Sequence, residues 1–177
     1  MKEVTLKLRM MTLPPVVLRG QQALILVRTS DDRFVIGGKS HYPQGISRLV
    51  GGGIEKGEEP LLGAARELQE ELGFQVKPTD LVPLAKINVQ VTNPEKNVTF
   101  AIYVYFYQLT DQTIKASDDL DSLVYLSQSE LLSLIKAYQE LPKTIDEVHG
   151  FAWFDYGQLY NQVHQIALDE YLKLAQS

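Results

Sequence analysis

Short apolar runs, separated by turn residues, occupy most of the chain as far as residue 126. Two of them, 16–18 and 23–27, are predicted to be strands joined by a turn at 19–21. Further strands are predicted at 34–36, 48–50, 84–91, 98–109 and 124–126. The run 98–107 is almost wholly aromatic and β-branched, which predicts a strand with both faces covered.

One segment instead has the period of an amphipathic helix. It spans 60–72, with Pro60 suited to the first helical position and Gly73 just past the end. Two more helices are predicted, one ending near Tyr138 and one over about 156–175. Because strands outnumber helices and one helix lies between them, the expected fold class is α+β, a mixed β-sheet with helices packed on its faces.

The chain is long enough for one domain with its own core. Its 177 residues, 20.0 kDa, predict a single domain over 1–177, of which about 139–177 forms a C-terminal helical extension. The absence of cysteine excludes disulfide scaffolds, thiol catalysis and cysteine-bound zinc. No apolar run suits a membrane span or a secretory signal, so a cytoplasmic protein is expected.

The formal charge of −5 is concentrated in one segment. The chain has no basic surplus of the kind that nucleic acids or anionic membranes attract, so neither is an expected partner. Residues 52–74 hold six of the 22 acidic residues and two of the 17 basic ones, a net charge of −4. The rest of the chain is almost neutral, and the acidic segment therefore needs a local explanation.

A helical wheel of 60–72 separates apolar from acidic positions. The apolar stripe comprises Leu61, Ala64, Ala65, Leu68 and Leu72. Glu67, Glu70 and Glu71 fall on the opposite side, where Gly63 leaves room for an approaching group. Three carboxylates one turn apart repel one another, and a hard divalent cation such as Mg²⁺ would reverse that cost. The alternative is an ordinary solvated acidic face.

A glycine-rich turn precedes this helix, and the two segments together match a known motif. Glycine lets a backbone carbonyl approach a metal or phosphate closely, and Arg66 is placed to pair with Glu58 or Glu70. Gly52, five residues, Glu58, seven residues and then RELQEELGF over 66–74 resemble the Nudix box at every defining position. At background residue frequencies such a match has a chance probability of about 10⁻⁸ to 10⁻⁹ per start position.

The resemblance implies a Nudix fold, an α/β/α sandwich, and a metal-dependent pyrophosphohydrolase. Such an enzyme cleaves the diphosphate linkage of a nucleoside diphosphate linked to another moiety. The substrate would be a small molecule: a nucleotide sugar, an ADP-ribose-like compound or a nucleoside triphosphate. The resemblance also implies Mg²⁺, or Mn²⁺, bound by Glu67, Glu70, Glu71 and the Gly51 backbone carbonyl.

The same resemblance assigns catalytic roles to Glu67, Glu70 and Arg66. Glu67 is expected to accept the proton of the attacking water, because a bound metal acidifies that water. In Nudix enzymes the base can also come from a later loop. Here that loop offers three candidates by position: Asp118, Asp119 and Asp121.

The loop before the box carries the expected substrate-binding residues. Lys39, His41 and Arg48 are placed where they could reach the phosphates or the base of a substrate, although an ordinary solvated loop also accounts for them. His164, on the last predicted helix, is expected to be structural. One face of the strand at 98–107 could line a base-stacking pocket.

Two functions stay open at this point. The first is the hydrolase; the second is a Nudix-fold sensor or regulator that binds a nucleotide without turnover. Non-catalytic members usually have an eroded box, and the intact box here favours the enzyme. A homodimer is compatible with the family, and the sequence identifies neither the particular substrate nor the number of metal ions.

Overall fold

The structure, a computed structural model, describes residues 1–110, 112–117 and 120–176. The strands are β1 (Lys2–Arg9), β2 (Gln22–Arg28), β3 (Phe34–Gly38), β4 (Arg48–Gly53), β5 (Val82–Thr92), β6 (Val98–Gln108), β7 (Ser122–Leu126), β8 (Ile145–Asp146) and β9 (Phe151–Ala152). The helices are α1 (Pro60–Leu72), α2 (Gln128–Ala137) and α3 (Trp153–Ala175). Short 3-10 turns occupy Pro15–Leu18, Pro78–Asp80 and Tyr138–Glu140.

Seven strands form one mixed sheet in the order β1-β5-β6-β2-β4-β3-β7. The pairs β1–β5 and β2–β6 are parallel, whereas β5–β6, β2–β4, β3–β4 and β3–β7 are antiparallel. Strand β2 pairs with β4 along its first half and with β3 at its end. Strands β8 and β9 form a separate small hairpin.

Side chains that alternate along β2 build a core on each face of the sheet. Ala23, Ile25 and Val27 pack with the apolar stripe of α1. Leu24 and Leu26 belong to a larger core with α2 and α3 on the opposite face. Helices therefore cover both faces of a mixed sheet, which confirms the α+β class and the α/β/α sandwich.

The C-terminal segment lies on the sheet and supplies much of the larger core. Leu159, Val163 and Ala167 of α3 are fully buried there, together with Leu131 of α2. Gly157 lets the Tyr138 carbonyl oxygen come so close to α3 that a Cβ would overlap it. Across the described ranges, no helix is both long enough and apolar enough to cross a membrane.

The structure departs from the predicted elements in several places. The segment 16–18 lies in a 3-10 turn instead of a strand, because Pro14 and Pro15 offer no backbone N–H for pairing. Strand β1 was not predicted, although apolar and charged residues alternate along it. Helix α3 begins at Trp153 instead of 156.

The prediction that both faces of 98–107 are covered is wrong for its first half. Residues 104–107 are buried, but Thr99 is exposed and Ala101 and Tyr103 are partly exposed. Helix α1 packs over the second half of β6, where Tyr105 and Tyr107 join its core, and leaves the first half open on that face.

Candidate functional site

Near its end, β4 passes so close to β2 and α1 that residues 51 and 52 have no room for a side chain. Gly51 has a φ of 126°, and a Cβ there would overlap the carbonyl oxygen of Ala23. A Cβ at Gly52 would overlap the carboxylate of Glu67, because both carboxylate oxygens would lie within 3.0 Å of it. The two glycines therefore bring the backbone of β4 directly against the acidic side of α1.

Glu71 is buried, which corrects its placement on the side of the helix opposite the apolar stripe. The residue is 2% exposed, and its Oε2 accepts a 2.6 Å hydrogen bond from the Gly51 N–H. Glu71 follows Leu68 by three residues, so it borders the apolar stripe and points at β4. By contrast, the side chain of Glu67 is 12% exposed and that of Glu70 is 44% exposed. The three glutamates thus occupy three different environments.

The room beside Gly63 is filled by the protein itself. A Cβ at Gly63 would lie 2.9 Å from Glu58 Oε2 and 3.3 Å from the Ile54 side chain. The predicted approach of another group to this glycine is therefore observed, and the group is the Glu58 carboxylate. Gly63 lets the Glu58 carboxylate lie against α1, where it can meet Arg66.

Arg66 binds three carboxylates and one carbonyl. Its Nε and Nη2 donate to the two oxygens of Glu58, both at 2.9 Å. Its Nη1 donates to Glu67 Oε1 at 2.9 Å and to Glu70 Oε2 at 3.0 Å, and Nη2 also donates to the Gly53 carbonyl at 2.9 Å. The bonds with Glu58 are the main cause that raises the pKa of Arg66, and they lower the pKa of Glu58. The predicted pairing of Arg66 with Glu58 or Glu70 is confirmed for both partners.

The ionised form of Glu67 is disfavoured by burial. Burial raises the pKa of the Glu67 carboxyl above its ordinary value, although the bond from Arg66 acts in the opposite direction. A desolvated carboxylate with a raised pKa is a good proton acceptor near neutral pH. It would also gain from a nearby cation, because a cation compensates the charge that burial leaves poorly solvated.

The junction of α1 and β4 offers the donor atoms that a hard divalent cation prefers. Glu71 is bonded to the Gly51 N–H, the Glu67 carboxylate lies against Gly52, and Glu70 shares the Arg66 guanidinium with Glu67. In the part of the chain that the structure describes, no three acidic or histidine side chains already converge as a ligand group. The fit therefore rests on the donor chemistry and on Gly52, whose missing side chain admits the Glu67 carboxylate.

The three predicted substrate-binding residues line one pocket. Lys39, His41 and Arg48 share a cavity of about 190 Å³ beside the start of β4. Its other lining residues are Pro15, Val16, Arg19, Tyr42, His149, Phe151, Trp153 and Tyr156. Apart from Tyr42, which belongs to the same predicted loop, the sequence did not assign this second set to the site. The many aromatic residues of 151–156 could have indicated part of this set, because the fold places them opposite the loop at 39–42.

Arg48 connects this pocket with the acidic junction. The residue is 7% exposed, and its Nη2 donates to the Gly51 carbonyl. Its Nη1 donates to the Tyr160 hydroxyl at 3.4 Å. The positive charge of Arg48 also favours the ionised form of Glu67. The guanidinium of Arg48 therefore contacts the backbone of Gly51, which Glu71 also binds, and the same residue lines the pocket.

A comparison with protein-family models finds a match over most of the chain. The NUDIX domain model matches residues 15–174. The chain belongs to the NUDIX family. The predicted membership of the Nudix family is thereby confirmed, and members of this family generally use divalent metals. A comparison with curated protein sequences finds no match.

Solved Nudix structures share the fold at low sequence identity. A binary complex of a C. elegans Ap4A hydrolase aligns over 88% of this chain and 99% of its own, with a TM-score of 0.54 and 13% identity. The E. coli dihydroneopterin triphosphate pyrophosphohydrolase aligns over 64% of this chain and 84% of its own, with a TM-score of 0.53 and 16% identity.

This chain spans less than half the length of some of the proteins it matches. A bifunctional NMN adenylyltransferase/ADP ribose pyrophosphatase from Francisella tularensis, complexed with AMP and a Mn ion, aligns over 83% of this chain, with a TM-score of 0.51 and 15% identity. The chain spans 42% of the length of that protein, and the same share of a MutT/nudix family protein from Enterococcus faecalis. At these identities the likeness shows the Nudix fold alone.

One of the three loop residues predicted as alternative bases, Asp121, binds the backbone at the end of β3 and just after it. Its Oδ2 accepts a 2.5 Å hydrogen bond from the Ser40 N–H, and its own N–H donates to the Gly38 carbonyl at 2.9 Å. The bond from Ser40 lowers the pKa of Asp121, which makes it a weaker proton acceptor than Glu67. Asp118 and Asp119 lie outside the described residues.

His164 is structural, as predicted. Its Nε2 accepts a 2.9 Å hydrogen bond from the Leu49 N–H, and its Nδ1–H donates to the Tyr160 carbonyl at 2.5 Å. Complete burial lowers the pKa of His164 to about 4, so the ring is neutral at physiological pH. The histidine thereby fixes α3 to the residue that follows Arg48.

Proposed function

We propose that this Nudix protein is a metal-dependent hydrolase that cleaves the diphosphate linkage of a nucleoside diphosphate linked to another moiety. The observation that carries the proposal is the α1–β4 junction. There Arg66 holds Glu67 and Glu70, and the Gly51 N–H holds Glu71, around a backbone turn that only glycine can form. A solvated acidic face would not need a buried glutamate or a shared arginine.

The residues proposed to hold Mg²⁺ or Mn²⁺ are Glu67, Glu70, Glu71 and the Gly51 carbonyl. When bound, such an ion acidifies a water molecule and stabilises charge on the leaving phosphate. Arg66 fixes the orientation of the two outer carboxylates, and it spreads their negative charge over one guanidinium. These contacts limit the reorganisation that metal and substrate would otherwise require.

Glu67 is the residue that we assign as proton acceptor. It lies against the backbone of Gly52, its carboxylate is mostly shielded from water, and its pKa is raised by burial. Glu70 is the more exposed of the two outer carboxylates and is assigned to the metal. Arg66 acts by positioning both.

Lys39, His41 and Arg48 are proposed to bind the substrate. They line the pocket together, and Arg48 reaches from it to the Gly51 carbonyl. A substrate that filled the pocket would therefore extend its diphosphate toward the α1–β4 junction. This arrangement fits a small nucleotide-type molecule.

The proposal is tested by a hydrolysis screen of the full chain. Nucleoside triphosphates, nucleotide sugars, ADP-ribose and dinucleoside polyphosphates are each incubated with Mg²⁺, with Mn²⁺ and with a chelator. We expect metal-dependent release of a nucleotide from at least one class and none with the chelator. Tight binding of one compound with no turnover of any would contradict the hydrolase and support the sensor.

A further inference from the structure

The large sheet has an edge at β1 that no described strand covers. Strand β1 pairs with β5 on one side, and it stands first in the order of the sheet. It runs for eight residues, from Lys2 to Arg9. An unpaired edge of this kind presents backbone N–H and C=O groups to another strand. The edge is therefore a surface at which a further chain can extend the sheet.

Hydrogen bonds just after β1 show which of its backbone groups face this edge. The Met10 N–H donates to the Thr92 carbonyl of β5 at 3.0 Å, whereas the Met11 N–H donates to Asp155 at 3.3 Å. Backbone groups alternate in direction along a strand, so the even-numbered residues of β1 bond to β5 and the odd-numbered ones point away from it. The odd-numbered residues within the strand are Glu3, Thr5, Lys7 and Arg9.

Helix α3 closes one end of the edge. Gln158 Nε2 donates to the Arg9 carbonyl at 3.3 Å, and Asp155 binds the Met11 N–H. The edge therefore stays open over residues 2–8, and Thr5 is the midpoint of this range. A strand that adds here finds its free partners at residues 3, 5 and 7.

A second copy of β1 fits this open range in antiparallel orientation. A two-fold axis at Thr5 pairs residue 3 of each copy with residue 7 of the other, and residue 5 with itself. These are the residues whose backbone groups face the edge, as the hydrogen-bonded pairs of an antiparallel ladder require. All the free groups of the open range are then used.

Neighbouring registers fit less well. A register centred on residue 6 pairs residue 3 with residue 9, and it would need the Arg9 carbonyl that Gln158 already binds. A register centred on residue 4 places Lys7 opposite Met1, which lies outside the strand. The open range therefore favours the register centred on Thr5.

The same register places unlike charges opposite each other. Glu3 of each copy meets Lys7 of the partner subunit, so the dimer has two such pairs. Within one copy, the side chain of Glu3 is 70% exposed and lies 3.8 Å from Lys86. Lys7 is exposed and forms no ion pair with a described carboxylate; its neighbour on β5 is Gln90. Opposite charges across two strands stabilise their pairing, and like charges destabilise it.

Apolar side chains complete the match on the other face of β1. Val4 is partly exposed at the edge of the larger core, and Leu6 is buried in it. The register places Val4 of each copy opposite Leu6 of the partner subunit. Pairing would therefore join the two larger cores along the edge and cover Val4.

We infer that β1 is a dimerisation edge, through which two copies of this chain pair in antiparallel orientation around Thr5. The two seven-stranded sheets then form one continuous sheet, and neither copy keeps an open edge at β1. Three strands separate β1 from β4, so each subunit has its own α1–β4 junction. The inference does not depend on the proposed hydrolysis.

Sedimentation equilibrium of the full-length protein measures this association. We expect a monomer–dimer equilibrium with a Kd on the order of micromolar, because pairing of one strand edge gives a small interface. A monomer at all concentrations up to about 1 mM would overturn the inference.

Exchange of the paired charges tests the register. Glu3→Lys and Lys7→Glu each create two like-charge pairs, and each should weaken dimerisation about tenfold or more. The two variants, when mixed, should form a heterodimer, because every pair then unites unlike charges. Lys136→Glu makes the same change at an exposed position on α2 and should leave the Kd unchanged. Unchanged dimerisation of both single variants, or a mixture that associates no better than they do, would overturn the register.

A proline at the midpoint tests the backbone pairing without removing a bond of the monomer. The Thr5 N–H faces the open edge, and proline is tolerated on edge strands. Thr5→Pro should therefore give a folded monomer by circular dichroism, whereas Thr5→Val, which keeps the N–H, should dimerise like the wild type. A wild-type Kd in Thr5→Pro would overturn the inference. If Thr5→Pro fails to fold, the mixed charge variants decide it.

Discussion

Three consecutive glycines at the end of β4 have different roles. Gly51 has a backbone conformation that favours glycine and lies against the carbonyl of Ala23. Gly52 makes space for the carboxylate of Glu67, whereas nothing lies within 4 Å of a Cβ built at Gly53. The position of Glu67 depends on the missing side chain of Gly52, and the Gly51 N–H is in turn bonded to Glu71.

Alanine substitutions should separate these roles. Gly51→Ala should destabilise the protein by several kcal/mol, since it combines a strained φ with a backbone overlap. Gly52→Ala should keep the fold, because a carboxylate can move, but it should displace Glu67 and abolish most hydrolysis. Gly53→Ala is the matched control, and we expect a stability change within about 0.5 kcal/mol. Thermal denaturation and initial rates measure both effects; wild-type activity in Gly52→Ala would refute the role of that contact.

The raised pKa of Glu67 gives a prediction for the metal-free protein. A carboxyl whose pKa is higher in the folded than in the unfolded state favours folding at low pH, and that contribution is lost as the pH rises through the folded pKa. Glu67→Gln mimics the neutral form. It should therefore raise the melting temperature at pH 7.5, by roughly 2–4 °C per kcal/mol gained, and lose this advantage near pH 4.

The comparison needs a control for the loss of one negative charge. Glu140→Gln makes the same chemical change at an exposed position outside the junction, and it should leave the melting temperature nearly unchanged. A melting temperature of Glu67→Gln at or below that of the wild type at pH 7.5 would show that Arg66 offsets the burial of Glu67 completely.

Among the elements, β4 links the two sites. Its first residues contact α3 and line the pocket, and its last residues contact α1. His164 of α3 accepts from the Leu49 N–H and so fixes the strand next to Arg48. Helix α3 therefore helps to support the site, although it begins about 80 residues after the end of the box.

The burial of His164 predicts a pH dependence of stability. Its pKa is about 4 in the folded state and about 6.5 in the unfolded state, so the unfolded state binds the extra proton first as the pH falls. Stability should decline between pH 6.5 and 4, with up to about 3 kcal/mol from this group. His164→Gln should flatten that decline in urea denaturation, and His41→Gln, at an exposed position, should not. An unchanged slope in His164→Gln would contradict a neutral buried ring.

The sequence predicted α1 well because several local signals agreed. Pro60, Gly73 and the apolar period all indicated the same bounds. A helical wheel, however, shows the direction of each side chain and not its neighbours. It therefore grouped Glu71 with Glu67 and Glu70 opposite the apolar stripe, and it could not show that β4 buries Glu71. In the same way, the aromatic run of β6 could not show that α1 covers only its second half.

For the molecule as a whole, the modest net charge conceals two opposite local charges. Acidic residues surround the α1–β4 junction, and cations line the pocket, with Arg48 between them. Sequence reasoning found the acidic part because its residues are close along the chain. It could not assemble the pocket, because Arg19, Arg48 and Trp153 come from three distant segments that only the fold brings together.

The central claim is that the box glutamates form the metal-dependent catalytic centre, and one measurement tests it most directly. The rate of hydrolysis of the best compound in the screen is measured against the concentration of Mg²⁺ or Mn²⁺ for the wild type, Glu70→Gln and Glu140→Gln. We predict metal-dependent turnover in the wild type and in Glu140→Gln, and a loss of about a hundredfold or more in Glu70→Gln. Turnover by Glu70→Gln at the wild-type rate and with the wild-type metal dependence would contradict the claim.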